Sequence, residues 1–266
     1  MPVEIKKYND FTVKPVKLPP QPKVDNPFFN DTYQNVFFLA KKKTGKSNLI
    51  YNILKNILKK NHVVFIFCST IDKDPIYKKM VNMIEKKARK VITSTSIYDD
   101  DINLHGMYEF LRHQENQEED SESEEANSND ILTIKPKHKK GGRKPKKPEP
   151  PEYIIILDDM SYELRDKTLS ALVKQNRHYK ANVFISSQWI HDILPDTLKQ
   201  IDVFLLFRGL PEKKLILLKQ NGDLPLEDKD LLELYDTAIK DKHDFLYIDK
   251  NEPQYRRNFN EKLTII

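Results

Sequence analysis

A single cysteine, Cys68, occurs in a chain of 266 residues. One thiol excludes a disulfide framework and a cysteine-built zinc cluster. No apolar run approaches the roughly 18 residues that cross a bilayer. The opening residues, MPVEIKKYND, lack the apolar stretch of a cleaved secretory signal. An intracellular-type soluble protein, neither secreted nor membrane-spanning, is therefore expected. No segment of about 20–50 residues recurs along the chain, which argues against repeat architectures. Apolar residues are few at 38%, against 32% charged. They are gathered into dense Val/Ile/Leu/Phe runs, so a core can form and wholesale disorder is not expected. The net charge of +5 favours a polyanionic partner only weakly, because placement matters more than the sum.

The runs set the organisation. Residues 1–30 carry six prolines, which suit neither helix nor sheet and predict an extended arm. From residue 31 onward, short continuous apolar runs alternate with helix-period stretches. The runs are at 36–39, 63–68, 153–157, 183–187, 203–207 and 245–248, with a shorter one starting at 91. Helices are predicted over about 49–58, 75–90, 162–175, around Leu215 and Leu218, and over 231–239. Buried strands alternating with helices predict an α/β fold with a mostly parallel central sheet flanked by helices. One segment breaks the rhythm. Residues 114–130 are acidic and 135–150 are basic and proline-rich, so 114–150 is expected to be a disordered insertion in a domain spanning 31–266. Its basic half is a candidate for phosphate contact.

The sharpest local signal is Ala40-Lys41-Lys42-Lys43-Thr44-Gly45-Lys46-Ser47. It has the spacing of a phosphate-binding P-loop, with Ala40 where the first glycine usually stands. Such a loop joins a strand to a helix and aims several backbone N–H groups at one anion, reinforced by the helix N-terminus. Gly45 permits the close approach. Lys46 would reach the terminal phosphates of ATP and the Ser47 hydroxyl would ligate Mg²⁺. Lys41, Lys42 and Lys43 can equally be a solvated charge run.

A second motif supplies carboxylates. The apolar run Ile154–Leu157 ends in Asp158 and Asp159, like a Walker B strand. Asp158 would hold Mg²⁺ through water, and Asp159 would act as general base on the attacking water. Both could instead cap the next helix. Gln188 ends another apolar run, where an amide can touch a γ-phosphate, or can simply face solvent. Arg177 and Arg208 are candidate arginine fingers, or plain helix-end cations. His178 has no spaced partner for a metal.

Taken together, AKKKTGKS, YIIILDDM, QNRHYKANVFISSQ and IDVFLLFRG resemble the FtsK/HerA-like genome-packaging ATPases of double-stranded DNA viruses. The resemblance covers roughly residues 30–112 and 152–260. It implies a RecA-like P-loop NTPase sheet of the ASCE type, with the Gln188 strand between the P-loop and Walker B strands. It implies Gln188 as γ-phosphate sensor and Arg177, then Arg208, as a finger acting across subunits. It further implies ATP and Mg²⁺ as cofactors and double-stranded DNA as partner, translocated by a homo-oligomeric ring that meets capsid or portal proteins. The implied location is the virion or the host-cell cytoplasm. A nucleotide switch or small-molecule kinase is the alternative. Guanine selection normally uses an Asn-Lys-x-Asp stretch, and none is found.

Overall fold

The structure, a computed structural model, describes residues 27–127 and 149–265. The arm expected over 1–30 and the basic stretch 135–150 lie outside these residues, apart from 27–30 and 149–150. Phe29 is buried and its ring lies 6.0 Å from that of Phe184, so the last residues of the expected arm join the core.

Nine strands form one sheet. In chain order they are β1 (Asn35–Leu39), β2 (His62–Cys68), β3 (Lys90–Ser94), β4 (Glu152–Asp158), β5 (Ala181–Ser187), β6 (Val203–Phe207), β7 (Phe245–Asp249), β8 (Gln254–Arg257) and β9 (Glu261–Leu263). Their order across the sheet is β3-β2-β4-β5-β1-β6-β7-β8-β9. The first six in that order run parallel, and β7, β8 and β9 are antiparallel. Side chains alternate between faces along a strand, so an apolar run such as Ile154–Leu157 feeds two cores at once. Phe37 and Leu39 enter the core built with α3 (Leu104–Asn127), α4 (Lys167–Gln175), α6 (Glu212–Gly222) and α7 (Asp228–Ala238). Val36 and Phe38 enter the one built with α1 (Lys46–Ile57) and α2 (Pro75–Lys87). A short helix, α5 (Pro195–Leu198), precedes β6.

Three departures from the sequence expectations have local causes. The helix expected over 162–175 is broken: a 3₁₀ turn, Ser161–Arg165, precedes α4. Asp166 interrupts it, its carboxylate accepting the Thr168 N–H at 2.7 Å as an N-cap. The acidic block expected to lack structure is helical through Asn127. Leu104, Met107 and Leu111 anchor its first turns in the core, and Glu, Gln and Ala propagate a helix well once it is nucleated. Finally, β8 and β9 extend the sheet beyond β7. They are half-buried to exposed, so neither carries the apolar run that marks an interior strand.

The start of β1 is tied down by a buried amide. Asn35 Nδ2 donates to the carbonyls of Val173 at 2.8 Å and Gln200 at 2.9 Å. Its backbone N–H donates to Asp202 Oδ2 at 2.8 Å. Asn35→Ala leaves two carbonyls without this donor and is expected to lower stability by about 2 kcal/mol. A urea midpoint equal to wild type would show that the latch contributes nothing.

Candidate nucleotide-binding site

Parallel strands bring their C-terminal ends to one edge, and this edge gathers the polar motifs. Leu39 pairs with Ser187, and Asp158 pairs with Ser186. The β5 strand thus lies between β1, which leads into the P-loop, and β4, which ends in the two acids.

The loop itself is built by its own residues. Ala40 is buried, so only a small side chain fits there, and its N–H donates to Ser187 O at 3.1 Å. Thr44 Oγ1 donates to Lys41 O at 2.8 Å and closes the turn. Gly45 adopts φ 102, in the region that favours glycine, and hands over to α1. A Cβ on Gly45 would come within 2.9 Å of His243 Nδ1, so a side chain there would displace that ring as well as strain the backbone. Lys41, Lys42 and Lys43 are exposed, in line with a solvated run around the mouth.

Lys46 and Ser47 open α1 and meet Asp158. Lys46 Nζ lies 2.5 Å from Asp158 Oδ1, and Ser47 Oγ lies 3.5 Å from Oδ2. Asp158 is only 2% exposed and accepts two further hydrogen bonds, from the Tyr77 and Ser186 hydroxyls. Burial, then the neighbouring Asp158 carboxylate, pushes the Tyr77 hydroxyl well above its ordinary pKa, so it stays a donor. Ser47 and Asp158 together form a hard-oxygen pair of the kind Mg²⁺ accepts. Among the described residues no cluster of three or more His, Cys, Asp or Glu could hold a metal. An Mg²⁺ ion held by Ser47 and Asp158 would take its further oxygens from phosphate and water.

Asp159 faces the same space. It takes φ 57, a left-handed conformation that Asp tolerates better than most residues. Its Oδ1 accepts the Gln188 Nε2–H at 3.1 Å, and its carbonyl accepts from Ser69 Oγ at 2.8 Å. Neither Asp158 nor Asp159 caps a helix, since Asp166 serves α4. A cavity of about 380 Å³ is bounded by the loop, Asp74, Asp158, Asp159, Gln188 and His243. A larger cleft of about 810 Å³ lies between β3 and α3, walled by Val63, Phe65, Met107, Phe110 and Tyr153. Its mainly apolar wall suits a triphosphate poorly.

The two arginines part company. Arg208 follows β6 and is exposed at the phosphate edge, where a Cβ on neighbouring Gly209 would lie 3.6 Å from the Lys41 side chain. Arg177 precedes β5, at the opposite edge of the sheet from the cavity. There it pairs with Asp31 at 3.1 Å and Asp202 at 3.5 Å.

Four contributors carry no recognisable sequence signal: Tyr77, Ser186, His243 and Lys214. His243 Nδ1 bonds Thr44 O at 2.9 Å. Its loop is held by Asp244, which accepts from the N–H groups of Lys240 and Asp241, from Asn258 and from Arg257. Burial alone would raise the Asp244 carboxyl, but these donors outweigh it and hold it at about 2. Lys214 Nζ donates to Gln188 O at 2.9 Å and sits 4.2 Å from the Trp189 ring centre. Trp189 is exposed and is the one tryptophan of the chain. Its emission is expected to change on titration with ATP and to lose that response in Gln188→Ala. An identical response in the variant would disconnect Gln188 from the bound nucleotide.

No protein-family model and no curated protein sequence matches the chain. Solved structures do. The chain is similar to B204, the DNA-packaging ATPase from Sulfolobus Turreted Icosahedral Virus, at 13% identity. The match covers 88% of this chain and 98% of that one, with a TM-score of 0.51. It is similar to the genome packaging NTPase B204 from Sulfolobus turreted icosahedral virus 2 in complex with AMP. Identity there is 16%, coverage 91% and 100%, and the TM-score 0.52. EssC (ATPases 2 and 3) from Geobacillus thermodenitrificans matches at 10% identity over 85% of this chain and 39% of that one, with a TM-score of 0.51. The likeness to these proteins is one of fold: a mostly parallel α/β sheet flanked by helices.

Proposed function

We propose that the chain is a Mg²⁺-dependent ATPase that translocates double-stranded DNA and packages a viral genome. One observation carries the reading. Lys46 and Asp158 meet at 2.5 Å, while Gln188, from the strand between theirs, bonds Asp159 at 3.1 Å. A phosphate-binding lysine, a metal-holding acid, a second acid and a polar reporter thus converge on one cavity.

The roles follow from position. The amides of residues 41–46 and the start of α1 receive the β- and γ-phosphates. Lys46 leaves Asp158 and turns to these phosphates as ATP enters. Mg²⁺ at Ser47 and Asp158 would neutralise charge on the β- and γ-phosphates. Asp159 accepts the proton of the attacking water. Gln188, already bonded to Asp159, senses whether the γ-phosphate is present and passes its displacement to Lys214 and Trp189. Arg208 stands on the phosphate edge of its own subunit. As a finger, Arg177 would serve a neighbour's site in a ring, after releasing Asp31 and Asp202.

The similarity to B204, described as a DNA-packaging ATPase and as a genome packaging NTPase, supports the packaging part of the reading through shared fold and coverage of 88% and 91% of this chain. DNA would be held through its phosphates with little sequence preference. The partners are then duplex DNA, further copies of the chain, and a capsid or portal protein, in the virion or the infected cell. The test is particle assembly with Lys46→Ala. Complete but empty capsids are expected. Capsids filled with genome would overturn the packaging role.

A further inference from the structure

We infer that Tyr77 and Ser186 clamp the Asp158 carboxylate from behind and so position it for Mg²⁺; the inference rests on the ATPase reading above. The geometry has a simple logic. Tyr77 donates to Oδ2 and Ser186 donates to Oδ1. One donor on each oxygen fixes the plane of a carboxylate that a single contact would leave free to turn. An ionised carboxylate offers about four lone-pair sites. Two hydroxyls use half of them and leave the rest for the cavity side, where Lys46 and Ser47 approach.

The two donors come from different elements. Ser186 is the direct register partner of Asp158 on β5. Tyr77 reaches in from α2, whose buried face, Tyr77, Met80 and Ile84, packs on the sheet. Each is only 1% exposed, so neither can touch a nucleotide. The α2 N-terminus also carries Asp74 and Ile76, which line the cavity. The Tyr77 bond therefore ties the placement of α2 to that of the metal-holding acid. Tyr77 and Ser186 are positioning residues: they act through Asp158. Groups that orient a metal ligand in this way commonly change metal affinity by about 10-fold or more when removed.

The test uses the full chain with a non-hydrolysable ATP analogue and Mn²⁺ as a spectroscopic stand-in for Mg²⁺. Mn²⁺ binding is followed by electron paramagnetic resonance, and analogue binding is measured separately in EDTA. Tyr77→Phe keeps the ring and its packing. It is expected to weaken Mn²⁺ binding roughly 10-fold while metal-free nucleotide affinity stays at the wild-type value. Ser186→Ala is expected to do the same and decides the matter alone if Tyr77→Phe does not fold. Wild-type Mn²⁺ affinity in the folded variants overturns the clamp while leaving the ATPase reading intact, as does an equal loss of affinity in EDTA. A wild-type chain that takes up no Mn²⁺ with the analogue overturns both.

Discussion

Lys46→Ala is expected to abolish ATP turnover, lowering it by on the order of 10³-fold. Lys46 Nζ is a charged group at the head of α1, beside Asp158. Without it the charge that develops on the transferred phosphoryl group loses its nearest fixed cation. The same substitution removes the 2.5 Å partner of a buried carboxylate, so loss of fold must be separated from loss of chemistry. Lys46→Arg does this. The guanidinium keeps a positive charge beside Asp158 but cannot place a compact ammonium in the loop. It is expected to keep the wild-type circular dichroism spectrum and still lose most turnover. Wild-type turnover in either variant would show that the loop does not handle the phosphates during reaction.

Asp159→Asn is expected to leave nucleotide affinity unchanged and to slow hydrolysis by roughly 10²–10⁴-fold, the range associated with a positioned general base. The substitution is gentle in structural terms. Asn tolerates the left-handed backbone that Asp159 adopts at φ 57. Its amide oxygen can still accept the Gln188 Nε2–H. What it cannot do is take a proton from water. Phosphate release under saturating ATP, set beside a binding isotherm, separates the two effects. Hydrolysis close to the wild-type rate would move the base role away from Asp159.

Much of this site was legible in the chain because its parts sit at the ends of apolar runs. The loop from Ala40 to Ser47, the Asp158–Asp159 pair and Gln188 each close a buried strand. A parallel sheet must bring such ends to one edge, and the order β4-β5-β1 found here matches the order implied by the family resemblance. The parts that were not legible reach the edge by tertiary packing. Tyr77 reads as one more core residue on an amphipathic helix, and nothing local tells that its hydroxyl meets Asp158. His243 and Lys214 arrive from loops and helices distant in sequence. The same reasoning explains the fold. The central strands announce themselves by continuous apolar runs, whereas Gln254–Arg257 is a polar, half-buried strand next to the edge and Glu261–Leu263 is the mostly exposed edge strand. The break at Asp166 turns on one side-chain cap against a continuing helical pattern. The helical course of 114–127 shows that an acidic composition does not by itself stop a helix already anchored by Leu104, Met107 and Leu111.

Arg177 is the one candidate whose location constrains assembly. It lies across the sheet from the cavity of its own subunit and is held there by two carboxylates. A finger role therefore requires a neighbour and the release of Asp31 and Asp202. Arg208 needs neither. If the ring works by contribution between subunits, mixing Arg177→Ala chains with Lys46→Ala chains is expected to restore part of the turnover, because each supplies what the other lacks. No restoration would favour Arg208 acting within its own subunit.

Phosphate release by the purified chain, measured with ATP and Mg²⁺ in the presence and absence of duplex DNA, bears most directly on the central claim. Turnover that requires Mg²⁺ and rises when duplex DNA is added is the predicted result, with the rise fading as salt screens the phosphate contacts. Nucleotide binding without turnover, or turnover indifferent to DNA at every salt concentration, would contradict a DNA-driving motor.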